Sequence, residues 1–64
     1  MVKINGEQHD VSGKTVSEVL AELGYNEKGV AVELNEEILP KCNYASTVLE
    51  DGNSVEVVRF VGGG

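Results

Sequence analysis

Few residues in this chain are of types that do chemistry: one histidine, one cysteine, eleven acids, and the glycine run Gly62-Gly63-Gly64. His9 and Cys42 lie far apart, so no Cys/His metal spacing exists. His9 falls on a short polar stretch where no acid and nucleophile converge. Catalysis requires geometry as well as pKa, so His9 reads as a solvated surface histidine. Cys42 follows Pro40 in irregular chain. A reactive thiolate wants positive charge nearby, and only Lys41 supplies it in sequence. A free cysteine reads by default as a small buried hydrophobe. The acidic pairs Glu36-Glu37 and Glu50-Asp51 read as solvated turn residues. Gly62–Gly64 lacks the strand-to-helix context of a phosphate loop.

The glycine run has two plain explanations, a frayed end or a cloning remnant. The functional alternative uses what glycine lacks. Without Cβ, backbone can pass a slot too narrow for side chains and adjust its dihedrals to a partner. Extended chain covers about 3.3–3.6 Å per residue, so Phe60 to Gly64 could carry a carboxylate roughly 10 Å beyond the domain. The one group delivered is the α-carboxylate of Gly64. A free carboxylate is a poor electrophile and becomes reactive as a mixed anhydride, most simply an acyl-adenylate made with ATP. Another protein must supply that chemistry, because nothing here cradles a nucleotide. An enzyme reading ranks last, for lack of a constellation or a pocket.

Sixty-four residues make one small domain,. A chain this short buries about 60% of its unfolded surface. One cysteine cannot form an internal disulfide, and a lone thiol fits a reducing compartment. Eleven acids against five bases give a net charge of −6. A nucleic-acid binder needs a cationic footprint, and this chain has none. The same field repels anionic membranes and favours a partner with a basic groove. A hydrophobic content of 41% excludes a disordered acidic tail,. No apolar run exceeds three residues, so neither a membrane span nor a signal segment is expected. These features predict a soluble cytoplasmic protein with a domain over residues 1–61 and a flexible tail over 62–64.

The elements that must position this tail follow from the pattern. Residues 2–5 alternate apolar and polar as a strand, and Asn5-Gly6 signals a two-residue hairpin. A short polar strand over Gln8–Val11 suits a sheet edge. Thr15-Val16-Ser17-Glu18 is a capping box. Val16, Val19, Leu20 and Leu23 form one stripe of a helix. Gly24 supplies its left-handed C′ residue, with Tyr25 packing back. After a loop over Asn26–Gly29, Val30–Leu34 is a strand and Asn35-Glu36-Glu37 a tight turn. Ile38-Leu39 is an edge strand that Pro40 ends. Lys41–Ser46 is irregular and anchored by Tyr44. Asp51-Gly52 turns the chain into a last strand over Ser54–Val61. The order β-β-α-β-β-β predicts an α+β domain: a β-grasp (ubiquitin-like) fold with a mixed four- to five-stranded sheet and one helix packed on one face. The first and last long strands then pair at the sheet centre, where the C-terminus emerges.

Along this frame lie Val-Lys-Ile-Asn-Gly at residues 2–6, Gly13-Lys14-Thr15-Val16 with Glu18 and Leu20, and Val32-x-Leu34-Asn35-x-x-Ile38-Leu39-Pro40-Lys41. Tyr44, Asp51-Gly52-x-x-Val55-x-Val57 and Phe60-Val61-Gly62-Gly63-Gly64 complete the series. In that order the sequence resembles the ThiS family, the ubiquitin-like sulfur carriers of thiamine biosynthesis. The family ends in Gly-Gly, and the third glycine here is a variation. The resemblance implies that an E1-like adenylating enzyme, using ATP-Mg, activates the Gly64 carboxylate while Gly62 and Gly63 thread its active site. A persulfide derived from a cysteine desulfurase, or sulfide itself, then displaces AMP. The resulting Gly64 thiocarboxylate gives its sulfur to thiazole synthase. The carrier is a cosubstrate that binds no cofactor or metal itself. A sulfur carrier of the molybdopterin synthase small-subunit type is a second reading, and a binding module with an incidental tail a third. Val58 and Phe60 are candidate partner-binding residues: if the helix covers Val55 and Val57, they stand exposed beside the tail. The alternative, in which loop 40–49 folds over them and Phe60 is core, stays open. Arg59 could pair with an acidic site on a partner, and the plain reading is an ion pair with Glu56.

Overall fold

The computed structural model describes residues 1–60; Val61 and the glycines at 62–64 lie outside the described residues. Five strands and one helix alternate in the order β1 (Val2–Ile4), β2 (Glu7–His9), α1 (Val16–Glu22), β3 (Val30–Leu34), β4 (Glu37–Leu39) and β5 (Ser54–Arg59). Single 3-10 turns cover Glu27–Gly29 and Lys41–Asn43. The strands form one sheet in the order β2-β1-β5-β3-β4. β1 runs parallel to β5 and the other neighbours are antiparallel. This is the expected mixed β-grasp sheet, with β5 at its centre and the two short polar strands at its edges. The domain boundary expected at residue 61 and the tail assigned to 62–64 lie outside the described residues.

The hairpin turns set the register. Asn5 and Gly6 both take positive φ (49° and 85°), the requirement of a two-residue turn whose twist matches its strands,. Glu7 therefore pairs at once with Ile4. The second strand starts one residue earlier than expected and ends at His9 rather than Val11. Val11 leaves the ladder yet is buried in the core. Asn35 and Glu36 repeat the device (φ 51° and 70°), which places Glu37 opposite Leu34 inside β4 rather than in the turn.

The helix is stopped at both ends as expected. Thr15 Oγ1 accepts from the Glu18 amide at 3.2 Å, and the Glu18 carboxylate accepts from the Thr15 amide at 2.8 Å. At the far end Gly24 (φ 83°) donates to the Ala21 carbonyl at 3.1 Å and Tyr25 donates to the Leu20 carbonyl at 2.8 Å. These are the two bonds of a Schellman ending.

Val16, Val19 and Leu20 of α1 meet Val2, Ile4, Val30, Val32, Val55 and Val57 of the sheet in one core, with Val11, Leu49 and Tyr44. Tyr44 is the largest fully buried side chain, so it anchors the irregular segment as expected. Burial pushes its phenol above the ordinary 10.0. Residues 44–49 are bonded to the start of the helix: Ser17 donates to the Tyr44 carbonyl (3.1 Å), Val16 to Thr47 (2.9 Å) and Leu49 to Lys14 (2.8 Å). Those bonds hold the segment on the helix side of the sheet. Among the described residues, the opposite face therefore stays open.

Candidate functional site

The central strand places the last described residues of the chain. β5 lies between β1 and β3, and its alternation puts Val55 and Val57 into the core and Glu56 and Val58 on the open face. In antiparallel pairs, directly opposed residues share a face. Val58 lies opposite Ala31, Glu56 opposite Glu33, and Glu33 opposite Ile38, so these side chains share the open face. Val58 is 53% exposed and Phe60 55%. This resolves the open question about Phe60 in favour of exposure. Residues 44–49 of the loop that could have covered it are bonded to the helix start instead, while Lys41 reaches the ring from one side.

Contacts made by four residues, Phe60, Lys41, Arg59 and Asn5, fix the end of the strand. Beyond the end of β5, Phe60 still donates its amide to the Gly29 carbonyl at 3.0 Å. Lys41 Nζ sits 5.2 Å from the centroid of the Phe60 ring and donates to the Lys28 carbonyl at 3.0 Å. On the helix side, the Arg59 guanidinium stacks over the Tyr25 ring at 4.6 Å. Asn5 extends the ladder where β1 has stopped: its Oδ1 accepts from the Val57 amide at 2.8 Å, and its Nδ2 donates to the Val57 carbonyl at 3.3 Å. The same Nδ2 donates to the Tyr25 hydroxyl at 3.3 Å. One side chain thus ties the hairpin turn, the helix ending and the final strand together.

The expectation for Arg59 needs correction: it stacks on Tyr25 and makes no ion pair with Glu56. The two residues are three apart on a strand, so they point to opposite faces. Cys42 is corrected as well, because it is exposed rather than buried. Its Sγ lies 3.7 Å from Asn43 Oδ1, while the neighbouring Lys41 ammonium is engaged with Phe60 and Lys28. His9 is partly exposed, with Glu7 at 4.0 Å as its acidic neighbour. No three metal-ligating side chains converge among the described residues. Among them too, no helix is long and apolar enough to cross a membrane.

Of the predicted site residues, Val58 and Phe60 are brought together at the exit, and Gly62, Gly63 and Gly64 lie outside the described residues. Reading the sequence missed Asn5, Tyr25 and Lys41 as supports of the exit. The first two were assigned only to their local turns, and nothing local links residue 41 to residue 60.

The arrangement is a central strand that exposes Val58 near its end and is followed by the exposed aromatic Phe60. Such an end can dock a partner through its exposed apolar side chains,. Comparison with known proteins bears on what is presented. The family model of the ThiS family matches residues 2–64. The sulfur carrier protein ThiS of Thermus thermophilus is 48% identical over 64 residues, covering 100% of both chains. A thiazole synthase of Paramagnetospirillum magneticum is 48% identical over 62 residues, which are 95% of this chain and 19% of that protein. The chain therefore spans about a fifth of the length of that relative. The crystal structure of the thiamine biosynthesis protein ThiS from Geobacter metallireducens superposes with a TM-score of 0.79 at 34% identity, covering 98% of this chain and 97% of that one.

Proposed function

The chain belongs to the ThiS family, and from that premise we propose that it carries sulfur for thiamine biosynthesis on its C-terminal glycine. The observation that carries the reading is the geometry at the end of β5: Val58 near the strand's end and Phe60 just beyond it are exposed apolar residues, and the glycine run begins two residues after Phe60. A docking anchor there lets a partner hold the domain by its face while a side-chain-free segment enters a narrow slot.

The chemistry proceeds in two steps on the partner. The Gly64 carboxylate attacks the α-phosphorus of ATP held with magnesium by an E1-like adenylating enzyme, giving the acyl-adenylate and pyrophosphate. Sulfide then attacks the acyl carbon, AMP leaves, and a thiocarboxylate remains. If the nucleophile is a persulfide supplied through a cysteine desulfurase, the first product is an acyl disulfide. A second thiol must reduce it to release the thiocarboxylate. The tethered sulfur is nucleophilic and never free in solution, which suits delivery to a thiazole synthase. The fused arrangement supports that last partner: a protein named thiazole synthase contains a region 48% identical to this chain. In this scheme the chain is consumed and regenerated as a cosubstrate and binds no nucleotide itself.

Intact mass spectrometry tests the proposal. A chain verified to end at Gly64 is incubated with the adenylating enzyme, ATP-Mg and sulfide. A mass gain equal to one oxygen exchanged for one sulfur, placed on Gly64 by fragmentation, is expected. An unchanged mass with an enzyme that converts its own carrier would overturn the reading and leave a β-grasp binding module.

A further inference from the structure

β1 is too short to accompany the final strand. Its last register pair with β5 is Ile4 opposite Val55, and beyond it the Asn5 amide donates to the Val55 carbonyl at 2.9 Å. The chain then turns away at Asn5-Gly6. β3 stays beside β5 as far as Val30 opposite Arg59, and Phe60 adds its bond to Gly29. One edge of β5 is thus held well past the point where β1 stops on the other. The Asn5 carboxamide fills that gap. Its Oδ1 accepts from the Val57 amide at 2.8 Å and its Nδ2 donates to the Val57 carbonyl at 3.3 Å. These are the two bonds that a longer β1 would make to residue 57. The second Nδ2 hydrogen reaches the Tyr25 hydroxyl at 3.3 Å, and the Tyr25 ring carries the Arg59 guanidinium. The turn alone does not need this side chain, since glycine or aspartate also suits its first position. Of those three residue types, only asparagine offers an N–H donor and a carbonyl acceptor together.

We propose that Asn5 is a positioning residue for sulfur loading: its carboxamide fixes the direction of β5 at Val57, and with it the line along which the glycine run enters the partner's active site. The inference rests on the carrier reading above. Asn5 acts through the β5 backbone and touches no reacting atom. From Val57 to Gly64 an extended chain spans about 23 Å at ~3.3 Å per residue. Threaded in extended form, that length turns a tilt of about 5° at Val57 into a shift of roughly 2 Å at the carboxylate. A misplacement of about 1 Å can slow a reaction about a hundredfold. Glycine dihedrals absorb part of the shift, so loss of the carboxamide should lower kcat by roughly tenfold. KM should hold, because Val58 and Phe60 are kept in place from the β3 side by Ala31 and Gly29.

Asn5→Gly keeps the turn and deletes the carboxamide. Pyrophosphate release by the adenylating enzyme, with ATP-Mg and sulfide in excess and the carrier varied, gives kcat and KM for the chain as substrate. Asn5→Gly should lower kcat by roughly tenfold and leave KM within about twofold. Thr15→Ala, which removes the cap at the other end of the helix from Tyr25, is the stability control and should leave both constants unchanged,. Tyr25→Phe removes one acceptor and keeps the ring under Arg59, so kcat should fall by about two- to threefold,. It carries the test alone if Asn5→Gly does not fold. Exchange of the Val57 amide, read by NMR, should quicken by roughly three- to tenfold in Asn5→Gly, while the Phe60 amide, bonded on the other edge, keeps its protection,. A purely structural Asn5 would lower the urea midpoint and leave kcat alone, and that result overturns the proposal. A rise in KM alone, or unchanged Val57 exchange, overturns it too. The unmutated chain is scored first. No pyrophosphate release from it overturns the carrier reading and this proposal together, whereas equal kcat for the unmutated and Asn5→Gly chains overturns the positioning role alone.

Discussion

Replacing Phe60 by alanine separates docking from folding, and the structure sets both magnitudes. Phe60 is 55% exposed, so a little under half of its surface is removed from water. Full burial of a phenylalanine side chain stabilises by roughly 1.5–3 kcal/mol, so about 0.7–1.4 kcal/mol is at stake here. The Lys41 contact over the ring adds about 0.5–1 kcal/mol at an exposed site,. Phe60→Ala should therefore cost about 1–2 kcal/mol, less than the roughly 3–5 kcal/mol of emptying a fully buried phenylalanine site. Leu20, only 1% exposed, is the core reference, and Leu20→Ala should cost about 2–5 kcal/mol,. Urea titrations followed by circular dichroism measure both, and an unchanged slope would show that the midpoint alone has moved. Affinity for the adenylating enzyme should respond in the opposite order. An aromatic anchor typically loses at least about 2 kcal/mol on truncation, roughly thirtyfold in Kd, whereas folded Leu20→Ala should bind almost normally. A Phe60→Ala protein that loses more than about 3 kcal/mol of stability and still binds its partner at full strength would refute the reasoning. Phe60 would then be core.

Further outcomes follow from single sites. Glu36 holds φ at 70° in a two-residue turn whose second position favours glycine,. Glu36→Gly should stabilise by about 1 kcal/mol and raise the thermal midpoint by roughly 4–8 °C; an unchanged or lowered midpoint would count against strain at that turn. Thr15→Ala removes the acceptor of the Glu18 amide and should cost about 1 kcal/mol,. The Thr15 backbone amide, then its side chain, holds the Glu18 carboxyl below the ordinary 4.5. A depressed carboxyl stabilises the fold above its unfolded value and loses that contribution as pH falls through the lower folded value. Urea midpoints should therefore drop on acidification, and Glu18→Gln should flatten part of that drop. Asp51 lies below its ordinary 3.8 through bonds from the Met1 ammonium and then Ser12, so Asp51→Asn should flatten a further part at lower pH. Finally, Gly63→Val should leave the urea midpoint unchanged while blocking thiocarboxylate formation, read by intact mass. A converted Gly63→Val protein would show that the slot admits side chains.

What could be read from the sequence depended on how far apart the cooperating residues lie. The two hairpin turns, the capping box and the Schellman ending each close within a few residues, so turn chemistry alone located them. The central position of β5 came from the element order. The exposure of Phe60 did not, because it turns on where residues 44–49 go. Backbone bonds from 44–49 to the helix start decide that, over some thirty residues of separation. Cys42 was misread for a related reason. The segment has one anchor, and once Tyr44 fills the interior at 1% exposure, the thiol two residues earlier remains outside. The Arg59 error is different in kind, since strand parity already excluded a partner three residues away. Parity puts Arg59 with Val55 and Val57 on the helix side, and the strand carries it past the core to the rim. There the exposed edge of the helix ending offers Tyr25, the aromatic face on which a guanidinium can stack while its charge stays in water,. The support of the exit was thus partly legible: alternation gave the side, and only the packed helix ending gave the partner.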